Sequence, residues 1–141
     1  MQKVLIDTDV ILDFFFDRKP FSDDAAKILT LCELNQIKGY ITSVIICNVY
    51  YLLQKTASHE KVVNKLVQLT TLTEILTTDK AVILTALNSG FKDFEDALQN
   101  FTAEMSGEID VILTRNTKDF KNSSLSISTP ESYLKSLTVS H

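Results

Sequence analysis

Two short uninterrupted apolar runs, at residues 4–6 and 111–113, most constrain what this chain can fold into. Each is the length of a strand rather than a helix, and a strand that is apolar on both faces must be covered on both faces. Asp7 follows the first run and Thr114 the second, and helical spacing follows each. The pattern predicts parallel strands with helices on both faces and a polar site beyond the strand ends.

Alternating strand and helix patterns fill the rest of the chain, with no long linker and no repeat. This alternation predicts a three-layer α/β/α sandwich around a short, mostly parallel central sheet. A length of 141 residues fits one domain, so we predict a single domain over residues 1–141. Strands are predicted at 3–7, 40–42, 74–76, 111–113 and 126–128, and helices near 9–16, 22–37, 43–57, 58–69, 79–87, 93–105 and from 129 onward.

Caps and stops set the expected ends of these helices. Asp9 is a candidate cap of the first helix, and Ser22 and Ser43 are predicted to cap the second and third helices. Gly39 is predicted to end the second helix. Proline at position 130 fits the first turn of the last helix.

Composition excludes several classes of protein. No run of about 18 uncharged apolar residues is present and no signal-peptide pattern opens the chain, so we expect a soluble, cytoplasmic protein with no membrane association. Cys32 and Cys47 lie among Leu and Ile, which favours reduced core residues over a disulfide. With only two histidines there is no His-rich zinc motif, so oxygen ligands must hold any metal.

The net charge of −4 argues against a protein that coats nucleic acid, because such binding depends on Lys and Arg. It does not exclude a nuclease whose acidic residues are concentrated at a metal site. Basic residues near the acidic segments are then candidates for binding the flanking phosphates: Arg115 and Lys118 first, with Arg18, Lys19 and Lys121.

Acidic residues recur in three parts of the chain that the predicted fold could bring together. Two carboxylates about 6 Å apart repel by roughly 3 kcal/mol at an effective dielectric near 20, so a cluster must take up protons or bind a cation. Oxygen ligands favour Mg²⁺ or Mn²⁺, and metal-assisted phosphodiester hydrolysis is the leading chemistry. The acids are Asp7, Asp9 and Asp13, then Asp93 and Asp96, then Asp119.

Most of these acids also have a simpler interpretation as helix caps. Asp93 with Asp96, and Asn116 with Asp119, have the spacing of a cap and its partner. Asp7 is the exception, because a carboxylate that directly follows a buried strand is unfavourable without a partner.

Three segments resemble the signature segments of PIN domains, ribonuclease-like domains that include the VapC toxins of bacterial toxin–antitoxin pairs. They are VLIDTDVILD at 4–13, DFEDALQ at 93–99 and ILTRNTKDF at 112–120. The resemblance runs from about residue 3 to 134. It implies a Mg²⁺- or Mn²⁺-dependent endoribonuclease that cleaves RNA, commonly as a homodimer, with a small antitoxin protein as a further partner.

The resemblance also implies roles for individual residues. Asp7, Asp96 and Asp119 match the family's metal-binding and catalytic acids, and Thr114 and Asn116 would shape the turn beside them. The complete set of supporting residues is Asp9, Asp13, Asn48, Asp93, Thr114 and Asn116.

Asn48 departs from the family pattern, because many PIN nucleases have a glutamate at this place. An amide brings no negative charge, so we expect weaker metal binding, and no acid is predicted nearby because Glu33 and Glu60 lie on other helices. The apolar face around Asn48 is expected to be divided between the core and a subunit interface: Ile45, Ile46, Val49, Tyr50, Leu52 and Leu53.

Two alternatives to an active ribonuclease remain open. One is a silent PIN-fold module that binds RNA or protein, which Asn48 favours and the three acids oppose. The other is a haloacid-dehalogenase-like phosphohydrolase with Asp7 as nucleophile and Asp9 as acid–base partner. Only 27 residues follow Thr114, too few for that family's later elements.

Overall fold

The computed structural model describes residues 1–139, and within that range it contains five strands and seven α-helices. The strands are β1 (Lys3–Ile6), β2 (Lys38–Thr42), β3 (Thr73–Leu76), β4 (Val111–Leu113) and β5 (Ser126–Ser128). The helices are α1 (Thr8–Phe15), α2 (Ser22–Glu33), α3 (Ser43–Leu53), α4 (His59–Leu72), α5 (Lys80–Leu87), α6 (Phe94–Ser106) and α7 (Pro130–Val139). A 3₁₀ turn spans Thr117–Phe120.

The strands form one sheet in the order β3-β2-β1-β4-β5, and every neighbouring pair is parallel. Val4 of the central strand is level with Gly39 on one side and Val111 on the other. The chain runs from β1 out to β3 and later returns to β4 on the opposite side of β1. Such a reversal opens a crevice beyond the carboxyl ends of the two strands. The predicted α/β/α architecture with a parallel sheet is confirmed.

The core lies between the sheet and the helices that cover it. The apolar residues of β1 and β4 are almost completely buried, as are Ile28 of α2 and Ile45 of α3. A second, smaller apolar cluster joins α5 to α6 through Val82, Ala86, Ala97 and Leu98. No helix within residues 1–139 combines the length and the apolar character needed to cross a bilayer.

Side-chain caps define where most of the helices begin. Ser58, Asp79 and Asp93 cap α4, α5 and α6 by accepting a hydrogen bond from a backbone amide of the first turn. The first cap is Asp7 rather than Asp9, and the cap of α3 is Thr42 rather than Ser43. Ser22 is the first residue of α2 rather than its cap, and Phe21 at the cap position makes no side-chain hydrogen bond.

Two predicted helices end earlier than their apolar spacing suggested. Helix α2 stops at Glu33 instead of Ile37, and Asn35 takes a positive φ of 57° as the chain turns back towards β2. Gly39 therefore lies inside β2 and is not the helix stop. Helix α3 ends at Leu53, before the predicted Ala57.

The two cysteines are both free, but only one belongs to the core. Cys32 is buried, as predicted, while Cys47 is exposed, so its prediction as a core residue is wrong. Helical spacing places a residue on a face of its own helix, and tertiary packing decides which face is covered.

Candidate functional site

Asp7 and Thr114 lie side by side where β1 and β4 end. The Asp7 amide continues the ladder by donating to the Leu113 carbonyl at 3.0 Å. The Asp7 carboxylate is only 6% exposed, and it accepts from the Thr8 amide at 2.7 Å and from Thr114 Oγ1 at 2.8 Å. Thr114 is completely buried. One orientation of the Asp7 side chain is therefore held by a helix terminus on one side and by the neighbouring strand on the other.

Asp9 lies in the first turn of α1 and reaches the turn that follows β4. Its Oδ2 accepts from the Arg115 amide at 3.2 Å and from Asn116 Nδ2 at 3.3 Å. Its Oδ1 is buried and has no hydrogen-bond partner among the residues that the structure describes. A buried carboxylate oxygen without a partner is unfavourable, and a cation or ordered water satisfies it.

Asp13 lies below these residues in a buried ion pair. It is 1% exposed and accepts from Arg115 Nε at 2.6 Å and Nη2 at 3.1 Å, with Arg18 Nη1 at 3.6 Å. The Arg115 guanidinium also lies 4.2 Å from the centre of the Phe21 ring. Two of the guanidinium nitrogens of Arg115 are thus occupied within the protein, which leaves Nη1 as the group with no such bond to Asp13.

Asp93, Asp96 and Asp119 line a separate surface cavity of about 570 Å³ between α6 and the 3₁₀ turn. Asp93 caps α6 by accepting from the Asp96 amide at 3.0 Å. The 3₁₀ turn is anchored by buried Phe120, which leaves Asp119 exposed beside the cavity. The other residues around this cavity are Lys92, Lys118 and Lys121, with Gly90, Phe91 and Asn122.

The acids at the ends of β1 and β4 interact electrostatically with the acids around the cavity. The pKa of Asp7 is raised to about 7, mainly by burial and then by the charges of Asp9 and Asp96. Burial also raises the pKa of Asp96 to about 7, with added repulsion from Asp93 and Asp119. Burial likewise raises the pKa of Asp9. The acids from three distant segments are therefore close enough to oppose one another's ionisation.

The donor set fits a hard divalent cation such as Mg²⁺ or Mn²⁺. It consists of carboxylate oxygens, one of them the unpartnered Oδ1 of Asp9, and a cation relieves their mutual repulsion. Among residues 1–139, no three Asp, Glu, His or Cys side chains are close enough together to ligate one ion directly. An ion bound here would therefore retain several waters, as Mg²⁺ commonly does in proteins.

Two further residues at the site, Glu95 and Lys92, were missed by sequence reasoning. Asn48 Nδ2 donates to Glu95 Oε1 at 2.5 Å, so the expectation that no acid lies near Asn48 is wrong. Lys92 lines the cavity that also contains Asp96. Both flank the predicted acids in sequence, and that adjacency was the available signal.

A family model described as PIN domain matches residues 3–118, most of the chain. The chain belongs to the PIN domain family. The alternative of a haloacid-dehalogenase-like phosphohydrolase therefore has no further support. One relative of this PIN domain is a protein named ribonuclease VapC1 from Aquifex aeolicus (strain VF5), which is 28% identical over 137 residues and covers 94% of this chain and 93% of its own length.

Two solved structures have the same fold as this PIN domain. A toxin–antitoxin complex from Klebsiella pneumoniae has a TM-score of 0.68 at 22% identity, covering 90% of this chain and 97% of that one. VapBC2 from Rickettsia felis, bound to a DNA fragment from its promoter, has a TM-score of 0.67 at 14% identity, covering 91% and 98%. These likenesses show the fold of the PIN domain, and its chemistry has to be argued from the residues of the site.

Proposed function

We propose that this PIN domain is a metal-dependent endoribonuclease that hydrolyses RNA phosphodiester bonds. The observation that carries the proposal is a group of buried and half-buried acids beyond the ends of β1 and β4, where burial, with mutual repulsion second, raises the pKa values of both Asp7 and Asp96 to about 7. Carboxyl groups perturbed in this way cluster at functional sites. The relative named ribonuclease VapC1 supports the same reaction class.

Asp7, Asp96 and Asp119 are the proposed catalytic residues, and they would hold Mg²⁺ or Mn²⁺ together with bound water. When bound, such an ion activates a water and stabilises charge on the phosphate. Thr114 fixes the Asp7 carboxylate by donating a hydrogen bond to Oδ2. Asn116 and the Arg115 amide hold Oδ2 of Asp9, which directs the unpartnered Oδ1 away from them.

Three lysines supply the positive charge that an RNA backbone needs beside these acids. Lys92, Lys118 and Lys121 line the cavity that also contains Asp96 and Asp119. Each phosphate bound by a lysine releases counterions, so RNA affinity should decrease as salt increases. Of the two cations proposed for phosphate, Lys118 is free to approach the backbone, whereas Arg115 would contribute through the nitrogen that does not contact Asp13.

Cleavage of a fluorescent RNA by the purified protein tests the proposed activity. We expect cleavage with Mn²⁺ or Mg²⁺, none with EDTA, and a loss of at least about 100-fold for Asp7→Asn, because the variant keeps the cap but loses a charge at the metal. Asp23→Asn, an exposed acid on α2, is the matched control and should retain activity. Binding of RNA without cleavage would instead indicate the silent PIN-fold module that Asn48 favours.

We further propose that the protein acts as the toxin of a toxin–antitoxin pair. Support comes from the solved neighbours, several of which are complexes named VapBC or toxin–antitoxin complex. Induced expression in a bacterial host should stop growth, and Asp7→Asn should abolish the effect. Where a small protein is encoded beside the gene, its co-expression should restore growth. Unimpaired growth under strong expression would contradict the toxin role.

We also propose a homodimer, because the outer face of α5 and α6 is apolar. Leu84 is 48% exposed, Leu87 61% and Phe94 46%. Exposed apolar residues contiguous with a small core cluster are typical of an interface. Leu84→Glu should convert a dimer to a monomer in light scattering, whereas Leu34→Glu, at an equally exposed leucine near α2, should leave it unchanged. A wild-type monomer would contradict the proposal.

A further inference from the structure

Asn48 of α3 and Glu95 of α6 meet across 47 residues of sequence. Asn48 Nδ2 donates to Glu95 Oε1 at 2.5 Å, a charge-assisted hydrogen bond. Asn48 occupies the place where the resemblance to PIN nucleases predicts a glutamate. The structure thus brings a carboxylate from another helix to the residue whose own charge is missing.

Glu95 is electrostatically part of the acidic site. It follows the cap of α6 and directly precedes Asp96, and its charge acts on the Asp96 carboxyl group. The bond to Asn48 uses Oε1, and no hydrogen bond to Oε2 is recorded for the residues that the structure describes. One oxygen of Glu95 is therefore held by an amide while the carboxylate keeps its charge and a second oxygen.

We propose that Glu95, held in place by the Asn48 amide, supplies the negative charge that this PIN domain lacks at position 48, and that the two residues act as one positioning unit for the divalent cation. This inference rests on the proposed metal-dependent function. The amide and the carboxylate together do what a single glutamate would do: Glu95 carries the charge and Asn48 orients it.

The alternative is a surface hydrogen bond that serves only to join α3 to α6. Glu95 is exposed, and an exposed contact of this kind contributes little to stability. A joining role predicts a small change in melting temperature and no change in metal affinity. The positioning role predicts weaker metal binding, so metal affinity separates the two roles.

Isothermal titration of the full chain with Mn²⁺ measures that affinity without depending on catalysis. We expect Glu95→Gln to weaken Mn²⁺ binding about tenfold, which is the lower range for residues that orient metal ligands. Asn48→Ala keeps every charge but releases Glu95, and we expect about three- to tenfold weaker binding. The double variant should bind Mn²⁺ little more weakly than either single variant, because both substitutions disable the same unit. Glu60→Gln, an exposed acid in the first turn of α4, is the matched control and should bind as wild type does.

Exchanging the two groups gives the sharpest test. Asn48→Asp combined with Glu95→Gln swaps amide and carboxylate without changing the length of either side chain, so the hydrogen bond can form in the reverse sense. We expect this variant to recover Mn²⁺ affinity to within about twofold of wild type. Failure to recover, with folding intact by circular dichroism, would overturn the proposal.

The same titrations separate this inference from the function on which it rests. If wild type binds Mn²⁺, Asp7→Asn does not, and Glu95→Gln binds as tightly as wild type, the metal site stands and the role of Glu95 is overturned. If wild type binds no Mn²⁺ at millimolar concentration, both proposals fail.

Discussion

Asp7 has three simultaneous roles because of where it lies. It connects β1 to α1, and one carboxylate oxygen caps that helix by accepting from the Thr8 amide. Its other oxygen accepts a hydrogen bond from Thr114. These hydrogen bonds favour the ionised form, yet burial and neighbouring acids oppose it more strongly, and the pKa rises to about 7. Part of the folding free energy is thus used to hold a carboxyl group in a buried setting that disfavours its charge.

The raised pKa of Asp7 makes the stability of the metal-free protein depend on pH. Between about pH 4 and 7 the native state retains a proton that the unfolded chain has released, so the free energy of unfolding falls as pH rises. Asp7→Asn cannot ionise, and we expect its free energy of unfolding to exceed that of wild type by about 4 kcal/mol at pH 8, with little difference near pH 4. Urea unfolding in EDTA at both pH values measures this; a variant less stable than wild type at pH 8 would contradict it.

Arg115 is the main partner of a carboxylate that has almost no access to water. Asp13 is 1% exposed, and with Arg115 removed its one remaining ion-pair partner within residues 1–139 is Arg18 at 3.6 Å. We expect Arg115→Met to lower the free energy of unfolding by about 3 kcal/mol, because a buried charge loses its partner. Adding Asp13→Asn should recover part of that loss. Lys135→Met, which breaks an exposed pair with Glu131, should change it by less than about 0.5 kcal/mol in urea unfolding.

The starts of the helices were easier to predict from local signals than their ends. N-terminal ends were largely readable, since α4, α5 and α6 begin within a residue of prediction, although Asp9, Ser22 and Ser43 were wrong as cap residues. C-terminal ends were less readable, and α2 and α3 each stop about four residues early. Helix α2 ends in a left-handed turn at Asn35, where the Asn35 and Gln36 amides donate to the Cys32 and Leu31 carbonyls, and asparagine at this place was the local signal that went unused.

Gly39 shows how closely β2 and α2 pack. A Cβ at this position would lie 2.6 Å from Cys32 Sγ and 3.3 Å from Ile6 Cδ1. We expect Gly39→Ala to destabilise the protein by about 2 kcal/mol through overpacking, measured by thermal unfolding. Cys32→Ala should be less harmful in the Gly39→Ala background than alone. Gly90→Ala is the control, because its Cβ would meet nothing within 4 Å.

The acidic site exists only because the whole sheet is assembled. Asp7, Asp96 and Asp119 come from β1, α6 and the turn after β4, and the order β3-β2-β1-β4-β5 brings these segments to one edge. Repulsion among the acids is the unfavourable side of that assembly. A cation bound as proposed would offset it, which would link metal binding to global stability.

Mn²⁺ should therefore raise the melting temperature of the whole protein, and more at pH 8 than at pH 5.5. At the lower pH, Asp7 and Asp96 are largely protonated because their pKa values are about 7, and protons compete with the metal. At 100 times the dissociation constant, the ion adds about 2.7 kcal/mol. Differential scanning fluorimetry with and without Mn²⁺ measures the shift. A shift that is equal at both pH values would show that the ion binds elsewhere.

Much of this protein could be read from local pattern. Short apolar runs and helical spacing were enough for the element order and the parallel sheet, because strand and helix preferences act over a few residues. The acids of the candidate site were predicted from their positions after strands and at helix caps, and their roles from the resemblance to PIN domains.

Other features depend on residues far apart in sequence, which no local pattern relates. Arg115 engages Asp13 across 102 residues, and Asn48 binds Glu95 across 47. The packing of the helices on the sheet decides whether a basic residue faces phosphate or an internal acid. It also decides whether a carboxylate from another helix can replace a missing charge. Burial adds the last step, since the shift of the Asp7 pKa arises from lost hydration that only the closed fold produces.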